Sequence, residues 1–176
     1  MTAKTQGIDY ATLTLRDAMD LATLIEEEAL ERYEELADQL EQHRTPAAAR
    51  FFRFMARQEA KHCASLAQRR ARIFGQEPRT VQREMIFDVE APEYDEARAF
   101  MSVREALATA LRSERKARAF FSGALAHIGD AQVRTLFEEL YKEEVEHEAL
   151  VLKELDKLPP ESNGNPDDYG DEPVGQ

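Results

Sequence analysis

Cysteine is almost absent from this sequence, which contains a single thiol, Cys63, in 176 residues. One cysteine cannot form an intramolecular disulfide, and it excludes metal centres built from several cysteines, such as zinc ribbons. Long apolar runs are also missing, since no segment approaches the roughly 18 apolar residues that a membrane-spanning helix needs. Residues 1–10 contain no apolar core of signal-peptide length. These absences predict a cytoplasmic protein that does not insert into a membrane.

Positive charge is scarce as well. The chain has 23 lysine and arginine residues against 35 aspartate and glutamate residues, which gives a net charge of −12 at pH 7. Nucleic acids and anionic membrane surfaces bind to basic faces, so we expect neither as a partner. An acidic surface suits cations, although a net charge also serves solubility alone.

Glycine and proline number only seven each and cluster at the ends of segments. The stretches between them are rich in alanine, leucine, glutamate, arginine and glutamine, which are strong helix formers. Each of these stretches begins with a recognisable capping residue. The pattern predicts four helices, from about Thr14 to Glu41, Thr45 to Phe74, Ser102 to His127 and Asp130 to Leu158.

The connections between the predicted helices indicate how the helices pack. Short links follow the first and third helices, which predicts two antiparallel hairpins and hence an all-α four-helix bundle. The long segment 75–101 suits a crossover that runs the height of the bundle, with a short helical turn near residues 94–100. We expect one domain over residues 14–158, preceded by an N-terminal segment (1–13) and followed by a disordered acidic tail (159–176).

The two predicted hairpins resemble each other in sequence. Each half contains a glutamate followed by an aromatic residue seven positions later. On its second helix, each half contains a phenylalanine, a glutamate seven positions later and a histidine three positions after that. The repeat pairs Glu26 with Glu114, Tyr33 with Phe121, Glu59 with Glu144 and His62 with His147. The chain is therefore an internal repeat of a helical hairpin.

Four carboxylates and two imidazoles lie in the apolar stripes of the predicted helices, where a core would contain leucine. These candidate metal ligands are Glu26, Glu59, His62, Glu114, Glu144 and His147. Each glutamate stands near the middle of its helix, so antiparallel packing brings all four to one layer of the bundle. That coincidence is hard to obtain from a pattern of solvated charges.

Burying four unpaired carboxylates together would cost several kcal/mol for each ion. Two divalent cations cancel four negative charges, and neutral imidazoles complete the ligand sets without adding charge. A glutamate from each of two helices with a Glu-x-x-His pair from each of the other two is the recurring di-iron or di-manganese arrangement. One nitrogen per metal among oxygen ligands suits iron or manganese, although zinc can occupy such a site. A purely structural polar layer is the alternative.

The sequence resembles the rubrerythrin branch of the ferritin-like superfamily from about Leu15 to Leu158. The motifs that carry the resemblance are the segments Glu26–Tyr33, Arg57–His62, Glu114–Phe121 and Glu143–His147. The resemblance implies a ferritin-like bundle in which two glutamates bridge two iron ions, two are terminal ligands and each histidine binds one iron. The implied bridging ligands are Glu59 and Glu144, and the implied terminal ligands are Glu26 and Glu114. Tyr33 would hydrogen-bond a ligand carboxylate, the alternative being a core tyrosine with no role at the metals.

The chain departs from rubrerythrins proper in two respects. It lacks the Cys-x-x-Cys pairs of a rubredoxin centre, because it has one cysteine. Rubrerythrins proper also carry an extra glutamate one turn after the third-helix ligand, and this glutamate exchanges with a histidine. In this chain that position is Ala117, and its repeat counterpart is Ala29. Electrons for any reduction must therefore come from another protein.

The resemblance implies a non-haem di-iron oxidoreductase that reduces peroxide or O₂ and is re-reduced by an external electron-donor protein. It also implies a homodimer. Two other functions fit the same residues: iron oxidation followed by storage or delivery, as in ferritins, and a structural bundle that binds zinc or no metal.

Overall fold

A computed structural model of the chain describes residues 9–43, 45–83, 86, 89, 92 and 101–159. Over these residues the chain forms four helices and no strand: α1 (Leu15–Gln42), α2 (Pro46–Phe74), α3 (Val103–Leu125) and α4 (Ala131–Leu155). The α1–α2 and α3–α4 pairs pack as hairpins. This confirms the predicted all-α four-helix bundle of two hairpins and a long crossover. The helical turn expected near residues 94–100 and the tail beyond Pro159 lie outside the described residues.

Local capping residues explain where α1 and α3 begin. The Thr14 hydroxyl accepts a hydrogen bond from the Asp17 backbone N–H, and the Asp17 carboxylate accepts one from the Thr14 backbone N–H. Ser102 and Glu105 form the same reciprocal capping box at the start of α3. Each box satisfies backbone donors that the first helical turn leaves without partners.

The starts of α2 and α4 use other devices. Pro46 occupies the first turn of α2, where its missing N–H costs nothing, and the Thr45 side chain makes no capping hydrogen bond. The Asp130 carboxylate accepts hydrogen bonds from two backbone N–H groups at the start of α4. Gly75 ends α2 in the left-handed region, with φ of 60°. All four helix starts therefore agree with the sequence prediction, whereas α3 and α4 end a few residues earlier than expected.

The core consists of two apolar clusters, one toward each end of the bundle. The first cluster contains the N-terminal halves of α1 and α4 and the C-terminal half of α3, and its Phe121 and Phe137 rings meet edge to face at 5.5 Å. The second contains the C-terminal half of α1 and the N-terminal halves of α2 and α3, and its Tyr33 and Phe52 rings stack at 5.8 Å. These two aromatic pairs occupy equivalent positions of the sequence repeat. The repeat is therefore visible in the packing as well as in the residues.

The described part of the crossover follows α1 from its N-terminal half towards its C-terminal end. Its contacts with α1 include the Arg79–Glu27 ion pair (2.6 Å), the Arg83–Glu31 ion pair (2.6 Å) and a hydrogen bond from Arg32 to the Pro92 carbonyl (2.9 Å). Val81, Ile86 and Val89 are buried against the first apolar cluster. The described part of the crossover therefore packs along α1.

A buried aspartate fixes the start of the crossover. Asp20 on α1 is fully buried and forms an ion pair with Arg70 of α2. Its Oδ2 also accepts a hydrogen bond of 2.8 Å from the Thr80 backbone N–H. One side chain thus joins α1, α2 and the crossover.

None of the four helices has an apolar stretch long enough to cross a membrane.

Candidate metal centre

The side chains singled out by the sequence come from all four helices, and most are buried. Five of the six are withdrawn from solvent: Glu26, Glu59, Glu114, Glu144 and His147. His62 is the exception, because 21% of its side chain remains exposed. On each helix the buried apolar residues before these positions belong to one core cluster and those after them to the other. The polar layer therefore lies between the two apolar clusters.

The first donor group, Glu59–Glu114–His147, is wholly buried. One ligand atom from each residue lies within 4.8 Å of the other two. The His147 Nδ1 atom is 3.2 Å from an oxygen of Glu114 and 3.5 Å from an oxygen of Glu59. Donors at right angles around one ion, with bonds of about 2.1 Å, are about 3 Å apart. The three side chains are therefore spaced as ligands of a single ion.

The second donor group, Glu26–His62–Glu143, is partly exposed. Its ligand atoms also lie within 4.8 Å of one another, and the His62 Nδ1 atom is 3.0 Å from an oxygen of Glu143. The His62 and His147 rings meet edge to face with centroids 4.9 Å apart. The two donor groups are therefore neighbours in one site.

Oε2 of Glu26 and Oε2 of Glu114 are shielded from solvent and make no hydrogen bond within the described part of the chain. A buried acceptor without a partner costs about 1–3 kcal/mol, and more if it is charged. A cation would compensate both oxygens, and carboxylate with imidazole is a donor set that suits iron, manganese or zinc. The residues therefore fit divalent metal ions.

The titration behaviour of the site has identifiable physical causes. Burial raises the pKa of Glu26, and the hydrogen bond with Glu59 and the nearby imidazoles offset this only in part. The hydrogen bond with Glu143 raises the pKa of His62, against the effect of burial, and the charge of Glu26 adds to the rise. Metal ligands must be deprotonated, so binding of a divalent cation displaces protons from such a site.

Tyr33 lies against this site from the second apolar cluster. Its side chain is fully buried, and its hydroxyl donates a hydrogen bond of 2.6 Å to Oε1 of Glu114. The hydrogen bond to a candidate ligand, which the family resemblance implies, is therefore present. Oε2 of Glu114 then remains to face His147. The repeat counterpart of Tyr33 is Phe121, which has no hydroxyl, so the two halves of the site differ.

Glu143 is the residue that the sequence reasoning did not assign to the site. The predicted ligand on this turn of α4 was Glu144, which is buried but contributes to neither donor group. Glu143 lies beside His62 instead. A signal for it was present in the repeat, since the counterpart of Glu143 in the first half is Gln58. The first half therefore has an amide where the second half has a carboxylate, and this difference makes the two halves of the site unequal.

A cavity of about 70 Å³ lies between α2 and α4 next to the second donor group. His62 and Glu143 form part of its wall, together with Ser65, Leu140 and the Arg69–Glu139 ion pair. The volume is enough for one or two molecules of the size of water. A small molecule in this cavity therefore contacts a candidate ligand directly.

Comparison with known families places the whole bundle in one of them. The family model named Rubrerythrin matches residues 17–155, which contain every candidate ligand and all of the four helices except the first two residues of α1. The chain belongs to the rubrerythrin family. The crystal structure of an uncharacterized conserved protein from Magnetospirillum magnetotacticum is similar to this rubrerythrin-family chain, with 30% sequence identity and a TM-score of 0.66. The similarity covers 85% of this chain and 98% of that one, and no curated protein matches.

Two buried alanines distinguish this rubrerythrin-family chain at the site. Ala117 and Ala29 follow Glu114 and Glu26 by one helical turn, and both are fully buried. The position at which the resemblance implies an exchanging carboxylate therefore holds a methyl group. An additional carboxylate donor therefore cannot come from either of these two positions.

Proposed function

We propose that this chain is a di-iron oxidoreductase that reduces peroxide or O₂ in the cytoplasm, with electrons from an external donor protein. The observation that supports the proposal most is that two three-residue donor groups lie side by side, with the His62 ring of one in contact with the His147 ring of the other. Bound in the ferrous state, two iron ions would supply the electrons for the reduction. The homodimer implied by the family resemblance remains a prediction.

The proposed ligands are the six residues singled out by the sequence. Glu26, Glu59, His62, Glu114, Glu144 and His147 would hold the two ions. Glu144 belongs to this set because its carboxylate is buried on the same helical turn as His147, where its charge requires compensation. Four buried carboxylates balance two divalent cations.

The surrounding residues orient the ligands and restrict access to them. Tyr33 donates a hydrogen bond to one oxygen of Glu114, and this hydrogen bond fixes the orientation of the carboxylate. The two apolar clusters cover the layer from both ends of the bundle and exclude water there. The cavity beside His62 is an opening through which a small oxidant can arrive. A redox site for small molecules needs both oriented ligands and a path by which the oxidant reaches them.

Stopped-flow oxidation of the ferrous protein tests the proposed function. Metal-free protein loaded with Fe²⁺ under argon and mixed with H₂O₂ or O₂ should develop ferric absorbance at least about tenfold faster than free Fe²⁺. Glu59→Gln removes a buried carboxylate of the first donor group and should abolish the fast phase, because this ligand position then loses its charge. Glu146→Gln removes the same charge from an exposed position of α4 and serves as the matched control.

Comparison of the oxidation rates with H₂O₂ and with O₂ distinguishes peroxide reduction from O₂ reduction. Oxidation of the loaded protein no faster than that of free Fe²⁺ would contradict the oxidoreductase proposal. Tight zinc binding with no iron oxidation would instead indicate a structural metal-binding bundle.

Blocking the α2–α4 cavity should slow the reaction without weakening metal binding. Ser65 lines the cavity and belongs to neither donor group. We expect Ser65→Trp to lower the rate constant for reaction with peroxide by about tenfold, which corresponds to about 1.4 kcal/mol in the barrier. Ala64→Trp places the same ring on an exposed position outside the cavity wall and is the control. Equal rates in the two variants would show that the oxidant reaches the site by another path.

A further inference from the structure

The internal repeat predicts two equivalent metal positions, but the structure makes them different. The group around His147 contains only residues that the repeat pairs with counterparts, and all three are buried. The group around His62 contains Glu143, and 39% of the Glu143 side chain is exposed. The asymmetry arises from one residue, because the counterpart of Glu143 is Gln58.

The contacts of Glu143 place its carboxylate among donors. An oxygen of Glu143 lies 3.0 Å from Nδ1 of His62, and ligand atoms of Glu26, His62 and Glu143 lie within 4.8 Å of one another. Two donors on opposite sides of one ion, with bonds of 2.0–2.2 Å, are at most about 4.4 Å apart. Small rotations of the side chains therefore bring all three donors to one ion.

The burial of the neighbouring Glu26 independently favours a cation at this position. Its Oε2 atom is buried and has no hydrogen bond, and only 1% of the residue is exposed. Glu143 places a second carboxylate beside Glu26 and His62, so a divalent ion there would be held by two negative charges and one neutral imidazole. The counterpart Gln58 carries no charge, and its side-chain oxygen accepts a hydrogen bond of 2.9 Å from Lys61.

We propose that Glu143 is a direct ligand of the ion held by Glu26 and His62. The two metal positions are then inequivalent: the position at His147 is closed, and the position at His62 is completed by a carboxylate that faces solvent and lines the cavity. This assignment rests on the proposed metal centre. The fifth carboxylate comes from α4, whereas the position one turn after Glu114 holds Ala117.

Calorimetric titration of the metal-free protein with Mn²⁺ tests the assignment. Wild-type protein should show two binding events, and Glu143→Gln should weaken one of them by about 10–100-fold and leave the other unchanged. Glu146→Gln, which removes an exposed charge from the same helix, should change neither event by more than about twofold. Titration with Co²⁺ adds a direct signal, since loss of a ligand from the second site should alter the visible absorbance of that ion.

The possible outcomes separate this inference from the proposed function. Two unchanged events in Glu143→Gln, or equal weakening of both, would overturn the ligand assignment while leaving the metal centre in place. Weaker binding with an unaltered Co²⁺ spectrum would show that Glu143 only orients His62, and would also overturn the assignment. Absence of binding to the wild-type protein would overturn the proposed function, and this inference with it.

Discussion

Combined replacement of Glu114 by methionine and Tyr33 by phenylalanine should stabilise the metal-free protein and remove the stabilisation that metal binding at the first donor group provides. Glu114 is fully buried with one oxygen lacking a hydrogen bond, and Tyr33 donates to the other oxygen. Replacing both partners by apolar groups of similar volume removes the hydrogen bond between them without leaving either of its two atoms unpaired. Apolar replacement of buried ionic groups is often stabilising, and we expect an increase of about 1–4 kcal/mol in the free energy of unfolding.

Urea denaturation with EDTA and with Mn²⁺ measures both parts of this prediction. Wild-type protein should gain about 3–4 kcal/mol per site when free metal is 100 to 1,000 times its dissociation constant. The double variant should lose the contribution of the first donor group. Glu34→Met changes an exposed glutamate of α1 in the same way and should shift stability by less than about 0.5 kcal/mol. A metal-free double variant less stable than the wild type would favour a structural polar layer.

Asp20→Ala should destabilise the protein by about 3 kcal/mol through loss of the crossover's anchor. Asp20 is fully buried and joins Arg70 and the Thr80 backbone N–H. Breaking a buried ion pair by removing one partner typically costs 3–5 kcal/mol. Arg70 keeps hydrogen bonds to the carbonyls of Glu77 and Pro78, which places the expected loss at the lower end of that range.

Thermal or urea unfolding of two variants isolates the effect of burial. Glu31→Ala breaks the Arg83–Glu31 pair, which also joins the crossover to α1 but has both side chains about half exposed. Exposed pairs contribute roughly 0–1 kcal/mol, so this variant should be close to the wild type. If Asp20→Ala lost no more stability than Glu31→Ala, the buried pair would not be the anchor of the crossover.

The helices and the polar layer are predictable from the sequence because their signals are local or repeated. Thr14, Ser102 and Asp130 mark helix starts through contacts with residues two or three positions away. The layer is predictable because hydrophobic periodicity places each charged side chain in an apolar stripe. The internal repeat then selects the same positions twice, which an accidental charge pattern would not do.

The position of Glu143, rather than its neighbour Glu144, beside His62 could not be predicted in this way. The two residues differ by about 100° around α4, and which one reaches His62 depends on how α4 is rotated against α2. Side-chain packing across the bundle sets that rotation, and neither helix encodes it alone. The repeat favoured Glu144 because it pairs with Glu59, whereas the His62 contact is made by the residue that breaks the repeat.

The path of the crossover is a second feature with no local signal. Its length predicted that it would run along the bundle, but not that α1 would be the helix it covers. The contacts that decide this join residues more than 50 positions apart, such as Arg79 with Glu27 and Thr80 with Asp20. Such pairs are recognised as partners only after the helices have been placed.

Each donor group draws its ligands from both hairpins. Glu26 and His62 of the first hairpin meet Glu143 of the second, and Glu59 of the first meets Glu114 and His147 of the second. A bound ion would therefore act as a cross-link between the hairpins, which could separate only after the ion had left the donors of one of them. Unfolding of the loaded protein would then be limited by the rate of metal release. A slowly dissociating ion would thus prolong the lifetime of the folded chain even where free metal is too dilute to rebind.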